Sequence, residues 1–343
     1  MKRLYVGIVL GVKVCAWCAI DGKGLLISCG EFQTSEQMLI DSVKDLPGEV
    51  HVLVEECELS GWAYRALLPH AKTVTVCDPR RNAWVAKGQN KSDRVDAEKL
   101  AELLRMKSYS AVYNPEDEIM ASLKKAVQQE IKISQALAKL KCVILSQFRR
   151  EGVSYRGISA FTEKGRGTLL EAVSNDRNRS LILQNYRRVE SLKEEKAVIR
   201  KMVRSFQADL SILSRLMQVP GVGPVSAARF VAFVQTPHRF SSKRKLWRYS
   251  KLGIVNRSSD GKSLGRQRLD WCASGVLKDV SRTVFMAALS CREENLFKRS
   301  YRRSLARTEN PIHARLNTQR KILSVLMALW RDGADYNDDI DRA

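Results

Sequence analysis

Residues 4–29 read LYVGIVLGVKVCAWCAIDGKGLLISC, and this stretch decides the fold of the first part of the chain. Its apolar side chains form three short runs at residues 4–10, 14–20 and 25–29, and the turn DGKG at residues 21–24 separates the second run from the third. Short apolar runs that are bounded by Gly and Asp predict β-strands. We therefore expect three strands, of which the second and third form a hairpin.

Alternating helices and strands are predicted beyond this stretch. A helix with Ser35 as its N-cap comes first, followed by a buried strand at residues 51–54, a helix at residues 62–68 and a strand at residues 74–77. Three strands followed by alternating helices and strands are the order of a mixed α/β sheet of ribonuclease-H type. We predict such a domain at residues 1–115.

Long helices are predicted in the middle of the chain. Residues 118–149 and 180–217 lack proline and place apolar residues at three-to-four spacing, which is typical of helices with one buried face. The segment between them, residues 152–167, is rich in Gly, Ser and basic residues. This pattern predicts a helical hairpin with a loop at its tip. Two interpretations remain open, a packed helical spacer and a coiled-coil arm used for assembly.

Charge is distributed unevenly along the 343 residues. The chain carries 59 Lys+Arg against 37 Asp+Glu, a formal net charge of +22, whereas residues 1–110 hold 15 basic and 14 acidic residues. Nearly the whole excess therefore lies in residues 111–343. Such a surface attracts polyanions, and no apolar run reaches the ~18 residues of a membrane span. Nucleic acid is the expected partner, and a membrane is not.

The eight cysteines are dispersed through a chain in which we see no export signal, so reduced thiols in a cytoplasmic protein are expected. Cys15-Ala-Trp-Cys18 has the CxxC spacing, but it lies in a strand-like run. No second CxxC completes a zinc site.

Carboxylates are concentrated in two places of the first domain. The segment KSDRVDA at residues 91–97 begins a predicted helix and places Asp93 and Asp96 on one helical face. The fourth predicted strand ends in Glu55 and Glu56. Acidic groups at the end of a strand, beside such a helix, are the hard oxygen ligands that a Mg²⁺ site in a ribonuclease-H fold requires. The alternative for the two aspartates is ordinary capping chemistry at a helix N-terminus.

The segment PGVGP at residues 220–224 stops one helix and starts another. Its glycines, Gly221 and Gly223, let the backbone approach a ligand closely, and the next helix presents free N–H groups. We predict a helix-hairpin-helix-like grip on a phosphate backbone. The alternative is a tight turn between two packed helices.

A third segment, RSSDGK at residues 257–262, places serines in a cation-rich loop. Ser258 or Ser259 could attack a phosphate, and neighbouring Arg and Lys would stabilise the charge on the phosphoryl group. The alternative is a plain turn. The basic residues predicted to bind nucleic acid here and just upstream are Lys243, Arg244, Lys245, Arg248, Arg257 and Lys262.

These segments occur together, and in this order, in the DEDD transposases of the insertion-sequence-110 group, which are relatives of the pilin-gene invertase. The chain resembles them over nearly its full length. The matching segments are YVGI, VEECELSGWAYRAL, KSDRVDAEKLAELLR, VPGVGPVSAARFVAF, HRFSSKRKLWRYSKLGI and RSSDGKSLG. The resemblance implies a RuvC-like DEDD domain at residues 1–115, a coiled-coil insertion at 116–215 and a mostly helical transposase domain at 216–331. The acidic end of the chain, residues 332–343, is expected to be a frayed tail.

The resemblance also implies chemistry. In that family four acidic residues bind Mg²⁺, a serine attacks a DNA phosphate to give a covalent intermediate, and a structured RNA pairs with target and donor DNA. The residues that match the acidic positions are Glu55 or Glu56, Asp93 and Asp96, and the serine falls best on Ser259, with Ser258 second. We expect a cytoplasmic, Mg²⁺-dependent transposase or site-specific recombinase of a mobile element, working as a dimer or tetramer on element ends and target.

One position departs from the family pattern. The first family aspartate falls on Val9, whose apolar side chain cannot bind a metal ion. Asp21 is not expected to replace it, because it lies at the far end of the second strand. The alternative function is therefore a catalytically weakened or inactive relative that binds DNA or RNA. A hydrolytic junction resolvase ranks last, since it needs neither the serine nor the basic domain.

Overall fold

The computed structural model describes most of the chain, and it divides into two compact units, Met1–Ala121 and Ser122–Ala343. The described residues are 2–81, 92–155, 157–255, 258–259, 262–263, 265, 268–270 and 274–338. The predicted domain boundaries at residues 115, 215 and 331 stay predictions.

The first unit contains a six-stranded mixed sheet. Its strands are β1 (Arg3–Val9), β2 (Val14–Asp21), β3 (Leu26–Gln33), β4 (Glu49–Glu55), β5 (Thr73–Cys77) and β6 (Ala111–Val112), in the order β3-β2-β1-β4-β5-β6. The β1–β2, β2–β3 and β5–β6 pairs are antiparallel, and the β1–β4 and β4–β5 pairs are parallel. The predicted mixed sheet and its hairpin are confirmed. β6 was not predicted, because two residues are too few to show a periodicity.

Helices cover both faces of this sheet. They are α1 (Glu36–Lys44), α2 (Ser60–Leu67) and α3 (Asp93–Arg105). Ser35 caps α1 as predicted, because its side chain accepts a hydrogen bond from the amide of Met38. One face of the sheet forms a cluster with α1 and α2, and the other packs against α3. Because β1 and β4 are buried on both faces, their sequences are nearly continuous apolar runs.

Gly7 is the point at which α3 crosses β1. A Cβ atom built on Gly7 would lie 2.0 Å from the carbonyl oxygen of Ala97 and 2.6 Å from the amide nitrogen of Ala101. Both obstacles are backbone atoms of α3, so they cannot rotate away as a side chain can. Glycine at position 7 is therefore what allows the helix to lie directly on the central strand.

Replacing Gly7 by Ala is expected to push α3 off the sheet and destabilise the first unit by about 1–3 kcal/mol, the usual range for overpacking. Chemical denaturation of the variant measures this. Gly22→Ala is the matched control, because a Cβ atom there meets nothing within 4 Å. Equal stability of the two variants would contradict the close packing of α3 on β1.

The second unit is mostly helical. Its α-helices are α4 (Glu118–Arg150, which begins in the first unit), α5 (Glu163–Glu171), α6 (Asp176–Ser205), α7 (Ser211–Leu216), α8 (Pro224–Val234), α9 (Lys243–Tyr249), α10 (Gly275–Ser290), α11 (Leu296–Thr308) and α12 (Pro311–Asp332). Short strands are also present. β7 (Ile254–Val255) pairs with β10 (Arg268–Leu269), and β8 (Ser258–Ser259) pairs with β9 (Lys262–Ser263), in both cases antiparallel.

The two predicted long helices are present, with different ends. The second, α6, begins at Asp176 because Asn175 caps it by accepting from the amides of Arg177 and Asn178, and it stops at Ser205 rather than continuing to residue 217. The connection between the helices is more structured than the predicted loop, because it contains α5. A shared core joins these elements and includes Phe148 and Tyr186. The coiled-coil arm stays a prediction.

Two features of the second unit were not predicted. The basic helix α11 was not recognised, because its sequence LFKRSYRRSLART offers few apolar positions to define a period. The acidic tail was expected to fray, yet Asp338 accepts a hydrogen bond from the amide of Leu296 and pairs with Arg299 at 2.8 Å. Asp335 pairs with Arg215. Positive partners therefore hold the described part of this tail.

A buried ionic cluster ties α4, α6 and α8 together. Glu130 of α4 is only 1% exposed. Its carboxylate accepts from Arg200 Nε at 3.1 Å, from Arg229 Nε at 3.1 Å and from the hydroxyl of Ser134 at 3.0 Å. Arg229 also pairs with Asp279 of α10.

None of the helices in the described part of the chain combines the length and the apolar composition of a membrane span.

Candidate functional site

The acidic edge of the sheet is defined by the ends of β1 and β4. These strands run parallel with Ile8 opposite Val54, so the next residues along them, Val9 and Glu55, are neighbours. Glu55 is also opposite Cys77, the last residue of β5. The carboxyl ends of three parallel strands therefore meet here, which is where open α/β sheets bind ligands.

Side-chain alternation distinguishes Glu55 from Glu56. Leu53 lies in the hydrophobic cluster that β4 forms with α3, and Val9 packs against the same cluster. Residues two apart on a strand share a face, so Glu55 lies on the α3 face. Glu56 follows the end of the strand, is exposed, and donates its amide to the carbonyl of Cys77.

The first turn of α3 lies toward the same edge. At the opposite end of β1, Gly24 lies close to the side chains of Glu102 and Arg105 in the last turns of α3. The turn that contains Gly24 begins at Asp21, which pairs with Leu4 near the start of β1. Since the end of α3 is near the start of β1, the beginning of α3 is near the end of β1.

Asp93 and Asp96 occupy this first turn. Ser92 caps the helix by accepting from the amide of Val95 at 3.3 Å. Asp93 and Asp96 lie one turn before Ala97 and Leu100, which are fully buried against the sheet, so both carboxylates continue the stripe that faces it. Asp96 is nearly buried and pairs with Lys99 at 3.3 Å, whereas Asp93 is exposed.

The fit of a metal ion to this edge is incomplete. Among the residues that the structure describes, no group of three or more His, Cys, Asp or Glu is placed to hold a metal ion. The strand beside Glu55 offers Val9, which is half-buried and packs against the clusters that contain Ala97 and Leu100. Val9 therefore places an apolar side chain at the position where the family pattern predicts a fourth carboxylate.

Asp21 does not substitute for the missing carboxylate. It lies opposite Leu4, five residues along β1 from Val9. Its carboxylate accepts from the amides of Leu25 and Lys23 and pairs with Lys2. These interactions, with the Leu25 amide foremost, hold the pKa of Asp21 below its usual value. Its role is to fix the turn between β2 and β3, as its position in the sequence predicts.

The CxxC pair is divided between the two faces of the sheet. Cys15 lies in the cluster with α1 and α2, whereas Cys18 lies in the cluster with α3. Residues three apart on a strand face opposite ways. Burial raises the pKa of the Cys18 thiol to about 12. These two thiols therefore do not chelate one ion together.

The PGVGP segment connects α7 to α8. Gly221 has a φ of +82°, and a Cβ atom there would lie 2.6 Å from backbone atoms of Val284 and Ala288 in α10. Because Gly221 has no side chain, the turn can pack closely against α10. This supports the alternative interpretation of the segment, a tight turn between two packed helices. Gly223 differs, because a Cβ atom there meets nothing within 4 Å. It caps α8 in front of Pro224 and is open to a ligand.

The predicted basic residues lie largely on α9. Lys243, Arg244 and Lys245 are exposed, and the preceding Ser242 caps the helix by accepting from the amide of Lys245. Arg248 is also exposed but pairs with Asp270 at 2.9 Å. Arg257 lies outside the described residues, as does the side chain of Lys262. Three of the predicted cations thus form one exposed turn.

The serine segment forms a strand pair. Ser258 and Ser259 make up β8, which runs antiparallel to β9 with Ser259 opposite Lys262. The intervening Asp260 and Gly261, and the side chains of both serines, lie outside the described residues. The backbone therefore brings a basic residue opposite Ser259.

A cavity was missed by sequence reasoning. It has a volume of about 490 Å³ and lies between α9, α11 and α12, with Lys243, Asn317, Arg320 and Lys321 among its lining residues. Only Lys243 of these was singled out from the sequence. The signal was available in α12, where polar residues at positions 317, 320, 321 and 324 share the spacing of one helical face.

The six-stranded mixed sheet, with Glu55 at the end of its parallel strand β4, is consistent with a ribonuclease-H-like domain of the DEDD class. A family model described as a transposase, the DEDD transposase of IS110, matches residues 6–150. A second, described as the transposase of the IS116/IS110/IS902 family, matches residues 213–302. Together they cover more than half of the chain, which belongs to the IS110 family of transposases.

One curated relative is similar over part of its length. It is an uncharacterised 43.6 kDa protein of insertion element IS110 from Streptomyces coelicolor, 28% identical over 156 residues. The match covers 43% of this chain and 38% of that relative. The similarity is therefore partial on both sides.

Proposed function

We propose that the chain is a DNA transposase or site-specific recombinase of a mobile element and that it exchanges strands through a covalent serine–DNA intermediate. One observation carries the proposal. A single chain combines the carboxylate-bearing edge of a DEDD-type sheet with a basic second unit in which Ser259 is opposite Lys262. The two family matches support the proposal, because the first covers the sheet-containing part of the chain and the second covers the basic part that follows it.

The proposed chemistry conserves the phosphodiester bond. The hydroxyl oxygen of Ser259 would attack a DNA phosphorus atom, form a bond to it and release a DNA hydroxyl, to which the proton from the serine is transferred. A hydroxyl of the second strand would then attack the same phosphorus and restore the serine. Cations near β8 and β9 would stabilise the negative charge that develops on the phosphoryl oxygens.

Family members normally use divalent metal ions, and Glu55, Asp93 and Asp96 are the side chains that would bind Mg²⁺ here. Carboxylate oxygens are the ligands that Mg²⁺ prefers. Because the described carboxylates do not form a complete site, we assign no step of the reaction to the ion. The face of the sheet favours Glu55 over Glu56 as the ligand from β4.

The proposed partners follow from the charge and the reaction. The net charge of +22 fits a protein that holds nucleic acid. Two strands on two duplexes must be cut together, which favours a homodimer or homotetramer. A structured guide RNA would supply sequence specificity by base pairing, since contacts of basic side chains to phosphates carry no sequence information.

Val9 favours a second candidate function. If the missing carboxylate abolishes catalysis, the chain is a protein that binds DNA or RNA through the same basic surface without cutting it. The two candidates differ in one measurable respect, which is whether the native sequence produces recombinant junctions.

A plasmid assay tests this difference. The gene, with the DNA that flanks it, is supplied to cells, and junctions between element ends and target are counted by sequencing. We expect the native chain to give junctions and Val9→Asp to raise their number about tenfold or more, because an added carboxylate strengthens binding of a hard cation. Val9→Asn is the control, because asparagine has the size of aspartate without its charge. Junctions from Val9→Asp alone would establish the binding protein instead.

A further inference from the structure

An acidic segment that follows α12 lies across two other elements of the second unit. We call this segment, residues 333–338, the strap. Gly333 has a φ of +65° and ends α12 in a left-handed C-cap, which turns the chain away from the helix axis. The strap then contacts Arg215 and Gln218 at the end of α7, and Leu296 and Arg299 in the first turn of α11. It therefore bridges α7 and α11.

Asp338 of the strap occupies the position of an anion at the start of α11. Its carboxylate accepts from the Leu296 amide at 2.8 Å and pairs with Arg299 Nη2 at 2.8 Å. The hydroxyl of Tyr336 donates to the same carboxylate at 2.6 Å. Burial raises the pKa of Asp338, but the hydrogen bonds from Tyr336, Leu296 and Arg299 outweigh burial and the net pKa is lowered. A negative charge is therefore held where a helix N-terminus and an arginine favour one.

Asp335 makes a second, weaker contact. Its carboxylate lies 3.5 Å from Arg215 Nε and accepts from the side-chain amide of Gln218 at 3.2 Å. The side chains of Asp335 and Asp338 stay 76% and 37% exposed. Ion pairs with this exposure are weak and are screened by salt. An incoming polyanion can therefore displace the strap without unfolding the helices beneath it.

The helix beneath the strap carries a row of arginines. The sequence of α11, LFKRSYRRSLART, contains five basic and no acidic residues. Arg299, Arg303 and Arg307 follow one another at intervals of four residues, so they lie along one side of the helix. Arg303 and Arg307 are exposed. The strap thus covers the start of a row of cations, a pattern that fits the phosphates of a nucleic-acid backbone.

We propose that the strap is an autoinhibitory element: it occupies part of a nucleic-acid-binding surface formed by Arg215, Arg299 and the first turn of α11, and the phosphate backbone of DNA or RNA displaces it. Residues 332–343 contain five aspartates and one arginine in a chain with a net charge of +22. Such a segment competes with a polyanion for the same cations. The inference rests on the proposed function, because it requires a protein that handles nucleic acid.

Removing the charge of the strap tests the competition. The double variant Asp335→Asn/Asp338→Asn should bind a DNA duplex or an RNA hairpin about tenfold more tightly than the native chain, as expected if the native surface is open about a tenth of the time. Its affinity should also fall more steeply with salt. In the native chain salt weakens the strap as well as the nucleic-acid contact, and the two effects partly offset each other. Fluorescence anisotropy measures both quantities, and the larger gain identifies DNA or RNA as the ligand.

The matched control is the double variant Asp209→Asn/Glu293→Gln. It changes the net charge equally at two exposed positions, which precede Arg215 by six residues and Leu296 by three. Its affinity should rise less than about twofold, because exposed charges away from the contact are screened. Asparagine at position 338 keeps an oxygen that can accept from the Leu296 amide, and circular dichroism checks that the fold is retained. Equal gains in the two variants, or no gain in the strap variant, would overturn the proposal.

Hydrogen exchange of the native chain tests the displacement itself. The amide of Tyr336 donates to Gln218 Oε1 at 3.0 Å, so the bound strap protects it. Saturation with the duplex or the hairpin should raise exchange in the peptide that contains residues 333–338, while exchange elsewhere in the second unit falls. Unchanged or slower exchange of that peptide would overturn the proposal. Recombination by the native chain without release of the strap would leave the proposed function standing and remove only the strap.

Discussion

Replacing Ser259 by Ala is expected to abolish strand exchange, with a loss on the order of 10⁴-fold or more in rate. The reason is that removal of a nucleophile eliminates the covalent pathway, and only binding and charge stabilisation remain. The measurement is the rate of junction formation from purified protein, element DNA and the RNA transcribed from its flanks. Affinity for DNA should change little, since alanine removes no positive charge.

Ser258→Ala is the matched control for this result. Ser258 precedes Ser259 on β8, and the proposal assigns the attack on phosphorus to Ser259 alone. It should therefore retain strand exchange within a fewfold of the native rate. Loss of exchange in Ser258→Ala, together with retention in Ser259→Ala, would move the nucleophile to the neighbouring residue.

The second large effect concerns stability. Replacing Glu130 by Ala is expected to destabilise the second unit by about 3–5 kcal/mol, because it leaves Arg229 and Arg200 without their shared buried carboxylate. Chemical denaturation followed by circular dichroism measures the change, since this unit is mostly helical. Glu190→Ala is the control. It removes a partly exposed pair with Lys193, and such pairs contribute about 0–1 kcal/mol.

The same cluster predicts a dependence on pH. Burial raises the pKa of Glu130, but the hydrogen bond and charge of Arg229, assisted by Arg200 and Ser134, outweigh it and the net pKa is lowered. A carboxyl whose pKa is lower in the folded than in the unfolded state stabilises the fold above its unfolded pKa. That stabilisation is lost as the pH falls through the folded pKa. Glu130→Gln should therefore show a shallower acid dependence than the native chain, and identical slopes would contradict the account.

The architecture of the first unit could be predicted because its sequence patterns are local. Apolar runs interrupted by Gly and Asp define β1 to β3, and Ser35 caps α1 as its position in the sequence predicts. The ends of α6 were harder to predict, because Asn175 acts through its own side chain in a polar stretch without apolar periodicity. Helix α11 was missed for the same physical reason.

The candidate site was only partly predictable. The sequence identifies Asp93, Asp96, Glu55 and Glu56, but the choice between the glutamates needs the strand register and the face that α3 covers. The direction of α3 is apparent only in the structure, in which Gly24 lies close to Glu102 and Arg105, residues far along the chain. The cavity beside Trp247 joins residues up to 86 positions apart, Lys243 and Leu329. A local sequence pattern cannot predict a contact between residues that lie so far apart along the chain.

The central claim is that a serine of the basic unit becomes covalently joined to DNA, and identification of the modified residue tests it most directly. The native chain is incubated with element DNA that carries a nick next to the exchange point, so that the intermediate cannot be resolved, and is then digested. The account predicts a nucleotide attached to the peptide that contains Ser259. Attachment to any other side chain, or cleavage without a protein–DNA bond while strand exchange proceeds, would contradict it.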